Sequence, residues 1–215
     1  FGAAKLNDAA SGINFTRVRF PHGYDGFRGK DLANINLSEA VLDTADLEGA
    51  KLVGVQLPSA HLPNANLRGA DLSGANLDDA NLRAAALENA TLVGTHLIGA
   101  KMAYCSLRRA NMTSALLGVA PGPGSGANTV LAFAYMPDVN LSGADVRSAD
   151  FSGAHVYATG DPSAQTLFTA NAQLDAAVFT NAILSGAQFD GSATAAVFSG
   201  AQLVNCTFNG CDLRN

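Results

Sequence analysis

Nowhere in its 215 residues does the chain carry a run of about 18 apolar residues, the length a helix needs to cross a bilayer, so no membrane span and no membrane partner are expected. A basic patch is missing too. Residues 1–117 hold eleven Lys/Arg against eleven Asp/Glu, and residues 118–215 hold only Arg147 and Arg214 against seven aspartates, so the net charge of −5 falls in the second half. Such a surface repels phosphates, which excludes direct binding of nucleic acid. Cysteine is scarce: Cys105, Cys206 and Cys211 form no disulfide framework, which points to a reducing compartment and a cytoplasmic protein. No His or Cys pair completes a tetrahedral set near them, so no metal is expected. His22, His61, His96 and His155 are scattered, and without a converging nucleophile, base and orienting group neither enzymatic activity nor a cofactor is expected. The chain opens at Phe1 without a basic, then apolar, leader, which suggests a processed chain or a piece of a longer protein.

What the chain does have is a period. From Leu32 to Leu117, every fifth residue is Leu or Met, eighteen times in one register, and two places earlier stands Ala in thirteen of the eighteen. The unit is A-[DN]-L-x-x. On a helix five steps advance the leucine by about 140°, which would leave no polar face. In a flat strand an odd period sends successive leucines to opposite faces. A coil that turns a corner every five residues satisfies the pattern, with Leu and the Ala before it inward and the other three positions outward; four sides make a square rung. The glycines two places after the leucine, such as Gly49, Gly54, Gly69, Gly74, Gly94 and Gly99, suit a corner with positive φ. With 48% hydrophobic and 14% charged residues the chain is expected to form one domain, 1–215.

These units resemble the pentapeptide-repeat proteins. The resemblance implies an all-β fold, a right-handed quadrilateral parallel β-helix (a β-solenoid), whose coils are stabilised by stacking on their neighbours. It also implies two kinds of activity. One is a non-catalytic scaffold for protein–protein interaction. The alternative is a DNA mimic that binds DNA gyrase and confers antibiotic resistance, protecting it from quinolones or peptide toxins. The acidic second half suits a mimic; the cancelling charges of the first half do not, since a polyanion mimic should show columns of one sign.

The register is broken in four places. Residues 1–26 read as an irregular first coil and N-terminal cap, with Ile13, Phe15, Val18 and Phe20 ahead of Pro21-His22-Gly23. Residues 118–130 and 157–166 read as projecting loops and candidate interaction sites, carrying Pro121, Gly122, Pro123 and Gly124 in the first and Gly160, Asp161 and Pro162 in the second. The first is no phosphate-binding loop, because no Gly-Lys-Ser/Thr follows it. Repeats resume near Leu131 and again at Leu174, slip near Gly191–Thr194, and use Phe more often, which suggests wider coils. All three cysteines fall on the small inward position and read as core filler; His61, His96 and His155 fall just before the inward residue and read as solvated.

Two surface features stand out. Arg28, Glu48, Arg68, Glu88 and Arg108 lie twenty residues apart, one full turn, and should stack as a ladder of alternating charge at about 4.8 Å spacing. Asp31, Lys51 and Asp71 repeat the pattern. At the other end, Phe198, Leu203, Phe208 and Leu213 would face water on the last rung unless covered. An end-to-end, two-fold homodimer through the C-terminal coils is expected there, with a further segment of a longer chain as the competing cover.

Overall fold

The computed structural model of the chain describes residues 13–118, 128–160, 166–169 and 172–213. In it each inward leucine begins a tight turn. The amide of the residue three places on donates to the leucine carbonyl, as from Ala40 to Leu37, Ala45 to Leu42 and Ala50 to Leu47, all at 3.0 Å. Only the second turn residue has positive φ, the signature of a type II turn. Glycine takes that place at Gly49 and Gly69, but Glu39 (φ 55°), Ala84 (φ 56°) and Tyr104 (φ 62°) take it as well. An L-residue there costs roughly 1–2 kcal/mol, which the stacked backbone hydrogen bonds offset.

The Asp or Asn that precedes the leucine has a local cause. Its side-chain oxygen accepts the amide two residues on, as at Asp31–Ala33 (3.0 Å), Asn36–Ser38 (3.0 Å) and Asn76–Asp78 (2.9 Å). Such Asx turns hold the chain at the corner and favour these two residue types.

Rungs stack through parallel bridges twenty residues apart, Asp31 to Lys51 to Asp71 to Thr91 to Asn111. Twenty residues are four five-residue sides, so the coil has four faces. The first is backed by Leu37, Leu57, Leu77, Leu97 and Leu117, the second by Leu42, Leu62, Leu82, Met102 and Leu131. The third is backed by Leu47, Leu67, Leu87, Leu107 and Met136, the fourth by Leu52, Leu72, Leu92, Met112 and Leu141. These leucines and the alanines between them are wholly buried, forming one core along the axis. Polar atoms that enter that core at Thr95 and Cys105 are satisfied by a carbonyl of the rung before: Thr95 Oγ1 donates to Leu72 O and Cys105 Sγ to Leu82 O, both at 2.8 Å.

The breaks after Leu117 and after Val156 lengthen the rungs that contain them. Lys101 pairs with Val130 and Leu116 with Asp145, twenty-nine residues apart, so nine residues are inserted between the first and second faces. The expected loop of 118–130 therefore narrows. Gly118 is buried and its amide donates to Asp145 O at 3.1 Å, Thr129 fills the small inward place with its hydroxyl on Leu97 O, and Val130 pairs with Asp150. Pro121, Gly122, Pro123 and Gly124 lie outside the described residues. The second expected loop, 157–166, narrows likewise: Ala158 donates to Ser185 O, and Thr166 is buried in the small inward place ahead of Phe168. Phe168 is an inward position that the periodicity passed over, because it stands out of step with both Val156 and Leu174. Asp161 and Pro162 lie outside the described residues, and Gly160 is the exposed residue before them.

Three short strands, β1 (Leu167–Phe168), β2 (Gln188–Phe189) and β3 (Thr207–Phe208), form a parallel sheet on the fourth face. Their rings stack, Phe168 on Phe189 and Phe189 on Phe208, with centroids 4.8 Å apart, the rise of one rung. On the second face Phe151, Phe179 and Phe198 stack at 4.9 and 5.0 Å, and the two columns meet edge to face at 77–88°. Rungs shorten to nineteen residues here, as between Val178 and Val197, because buried Ala193 follows Phe189 by four positions instead of five. Gly191, at φ 116°, closes that short side. At the other end Phe15, Phe20, Tyr24 and Phe27 pack together in the widened first coil; residues 1–12 of the expected cap lie outside the described residues.

Candidate protein-interaction surface

A coil of this kind positions side chains by column. Every outward place recurs one rung along, so a residue's neighbours on the surface are set by its count from the leucine. The column just after the third face's inward residues holds Arg28, Glu48, Arg68, Glu88 and Arg108, on the edge between the third and fourth faces. It is paired two and two. Arg28 lies 3.0 Å from Glu48 and 3.0 Å from Asp46, and Arg68 lies 3.1 Å from Glu88. Glu48 and Arg68 are joined through Asn66, whose amide donates to Glu48 and whose oxygen accepts from Arg68. Among the described residues Arg108 has no ion pair and no side-chain hydrogen bond. On the fourth face Lys51 reaches Asp31 at 3.0 Å, but Asp71 instead takes the Ser73 amide and hydroxyl. The Ala33 amide, followed by Lys51, holds the Asp31 carboxyl below its ordinary value. Exposed pairs of this kind are worth only about 0–1 kcal/mol each. Among the described residues no column carries carboxylates on two successive rungs.

The most unusual surface lies on the third face and its two edges, and sequence reading missed it. On the edge shared with the second face, Tyr104 and Phe133 occupy the positive-φ corner of successive rungs and stack at 5.4 Å with planes 12° apart. They are 51% and 56% exposed, unusual for large aromatic rings. Arg83 caps the stack, its guanidinium 4.9 Å from the Tyr104 ring centre. Below Phe133 sits Gly153, where an added Cβ would come within 2.6 Å of the ring, so only glycine leaves room for it. Across the face stands Tyr135, 41% exposed, with His155 beside it at 6.4 Å. On the far edge the Tyr157 hydroxyl lies 3.2 Å from that of Tyr135. The hydrogen bond to Tyr135, then partial burial and the charge of Asp138, push the Tyr157 phenol above its ordinary value, and the positive charge of Arg108 acts against them. Asp138 itself is buried, accepting from the Thr159 amide at 2.8 Å and hydroxyl at 2.7 Å, with Arg109 at 3.9 Å. The available signal was the set of Tyr104, Phe133, Tyr135 and Tyr157, all at outward places of their units.

A family profile described as pentapeptide repeats (8 copies) matches residues 27–57, 51–88, 80–117, 127–156, 169–192 and 194–215. The chain belongs to the pentapeptide-repeat family. Among solved structures it is similar to HetL, a pentapeptide repeat protein involved in heterocyst differentiation regulation from the cyanobacterium Nostoc sp. strain PCC 7120, at 26% identity over 97% of this chain and 92% of that one, with a TM-score of 0.45. QnrB1, a plasmid-mediated fluoroquinolone resistance protein, is similar at 15% identity over 92% of this chain and 90% of that one, TM-score 0.45. A pentapeptide repeat protein from the Arabidopsis thaliana thylakoid lumen matches at 30% identity over 46% of this chain and 72% of that one, TM-score 0.29. At these scores the likenesses carry no weight for function. No curated protein matches.

The other candidate positions of this pentapeptide-repeat chain fall as follows. Cys105 is buried core; burial pushes its thiol up to about 12. Cys206 and Cys211 are half-buried near the end of the stack, Cys206 donating to Leu184 O at 2.8 Å. His61, His96 and His155 are exposed on three different rungs. Among the described residues no group of three His, Cys, Asp or Glu side chains is arranged to hold a metal ion, and no helix is long and apolar enough to cross a membrane. At the last rung Phe198 and Phe208 are half-buried, while Leu203, Val204 and Leu213 are exposed.

Proposed function

We propose that this protein is a non-catalytic scaffold, a right-handed quadrilateral β-helix that presents a fixed surface to another protein in the cytoplasm. The observation that carries this reading is the cluster of exposed Tyr104, Phe133 and Tyr135 with half-buried Tyr157 beside them and Arg83 at its edge. Tyr and Arg dominate the energetics of protein interfaces, because they combine a rigid apolar body with a polar tip. Stacked rungs hold them in place with little conformational freedom left to lose on binding. The test is a photo-cross-linking amino acid placed at Tyr135 or, as a control, at Ser73 on the opposite edge, in cells that make the protein. A discrete protein adduct from position 135 alone is expected; identical patterns from the two positions would overturn the reading.

The alternative is a gyrase-directed DNA mimic, supported by the two arginines against seven aspartates of residues 118–215. The alternating columns speak against it, since a mimic of a polyanion needs carboxylates repeated on successive rungs. A gyrase supercoiling assay with and without a quinolone decides: no protection is expected. Exposed Leu203 and Leu213 support end-to-end homodimerisation, which Phe208→Asp should abolish in light scattering while a charge at Ser73 leaves it unchanged.

A further inference from the structure

We propose that the third face between Arg83 and Arg108 docks an acidic segment of a partner protein, one in which carboxylates flank an apolar or aromatic side chain. The inference rests on the scaffold reading above and specifies the chemistry of its partner. Three observations carry it. The first is the odd cation of the ladder: Arg28 and Arg68 each have a glutamate, Glu88 is taken by Arg68, and the next rung offers Arg108 only buried Pro137. The second is the absence of a competing acid. Glu88 and Asp138 are the carboxylates of the described residues on this stretch of the face and its edges; Asp138 is buried and engaged by Thr159 and Arg109. In a chain of net charge −5 this leaves a local cationic spot. An arginine of this kind takes a carboxylate through two parallel hydrogen bonds.

The third is the direction of the rings. Tyr104 has Arg83 on one face and Phe133 on the other, and Phe133 has Gly153 beneath it, so the stack shows the solvent its ring edges. Ring edges are the positive end of the aromatic quadrupole, which favours an approaching carboxylate. The same arrangement disfavours a single-stranded nucleic acid, whose bases need open ring faces to stack upon. The tyrosine hydroxyls of Tyr135 and Tyr157, 3.2 Å apart, add a donor to the middle of the surface.

The test uses the whole chain and two fluorescein-labelled peptides blocked at the C-terminus, Glu-Asp-Phe-Glu-Tyr-Asp-Glu and its amide counterpart with Gln and Asn in place of Glu and Asp, titrated by anisotropy at low and high salt. The acidic peptide should bind at least tenfold more tightly than the amide one. Arg108→Glu, checked for an unchanged melting curve, should weaken it at least tenfold, Arg108→Gln less, and Arg19→Glu, at the far end of the coil, not at all. Added salt should weaken it as well. Equal affinity for the two peptides, with binding still lost in Phe133→Ala, would overturn the acidic preference and leave the scaffold reading standing. No binding of the acidic peptide, binding indifferent to Arg108→Glu, or preferential binding of oligothymidine would overturn the proposal; the cross-linking comparison then judges the scaffold reading separately.

Discussion

Residues 31–117 and residues 128–213 build the same coil by different means. In the first stretch Leu and Ala alternate inward, rungs are uniformly twenty residues long, and both signs of charge are interspersed along the outside, six Lys/Arg with nine Asp/Glu. In the second, stacked phenylalanines replace leucines on two opposite faces, rungs vary between nineteen and twenty-eight residues, and nearly all the charge is acidic. The backbone ladder tolerates this variation because every rung needs only a bridge to the one before it, whatever is inserted at the corners. A coil built this way can carry irregular outward features without losing its core. The aromatic surface sits where the two regimes meet.

The largest expected effect tests the phenylalanine columns. Phe179→Ala removes a ring stacked on Phe151 and Phe198 and should cost about 3–5 kcal/mol in denaturant unfolding. Leu72→Ala in the regular stretch should cost roughly 2–5 kcal/mol. If the phenylalanine change cost less than the leucine one, the columns would be mere filler and the contrast between the halves would fail.

Corners sharpen it next. At Gly74 nothing lies within 4 Å of an added Cβ, so Gly74→Ala should cost only the backbone penalty of positive φ, about 1 kcal/mol. Gly153→Ala adds a collision with Phe133 to the same penalty, and should lower the melting temperature further while shifting the ring signals of Tyr104 and Phe133 in NMR spectra. Equal melting temperatures and unmoved rings would mean that Phe133 does not rest on Gly153.

Smaller still is the ladder. Arg68→Glu puts a third carboxylate between Glu48 and Glu88, and stability should fall by about 0.5–1 kcal/mol at low salt and recover at high salt. A loss independent of salt would indicate a packing effect instead. Least in energy is the thiol contrast: Cys206 and Cys211 should be alkylated at pH 8 in the folded protein while Cys105 reacts only on unfolding. Because burial raises the Cys105 thiol from 9.0 to about 12, the folded state favours the proton; stability is unaffected below pH 9 and declines as pH rises from there towards 12. A flat stability profile across that window, with rapid alkylation of Cys105, would place it at the surface.

Much of this architecture was already legible in residue order. A five-residue period with one apolar place admits no helix and no flat strand, and Leu37, Leu72 or Leu107 could be assigned inward from spacing alone. The ladder from Arg28 to Arg108 was likewise legible, because four sides of five residues make a surface column out of every twentieth residue. The pairing within it was not, since alternating signs give Arg68 two glutamates to choose from and only side-chain reach selects Glu88. Phe168 was missed because insertions on both sides removed the count that would have found it. So was the aromatic surface. Tyr104 and Phe133 are twenty-nine residues apart, and they become neighbours only because the rung between them is nine residues longer than the usual twenty. Short-range rules of turn and period therefore determined from sequence which residues face in and which face out. Tertiary structure alone decided which outward residues meet, because that depends on how many residues each insertion removes from the count, a quantity that periodicity cannot supply.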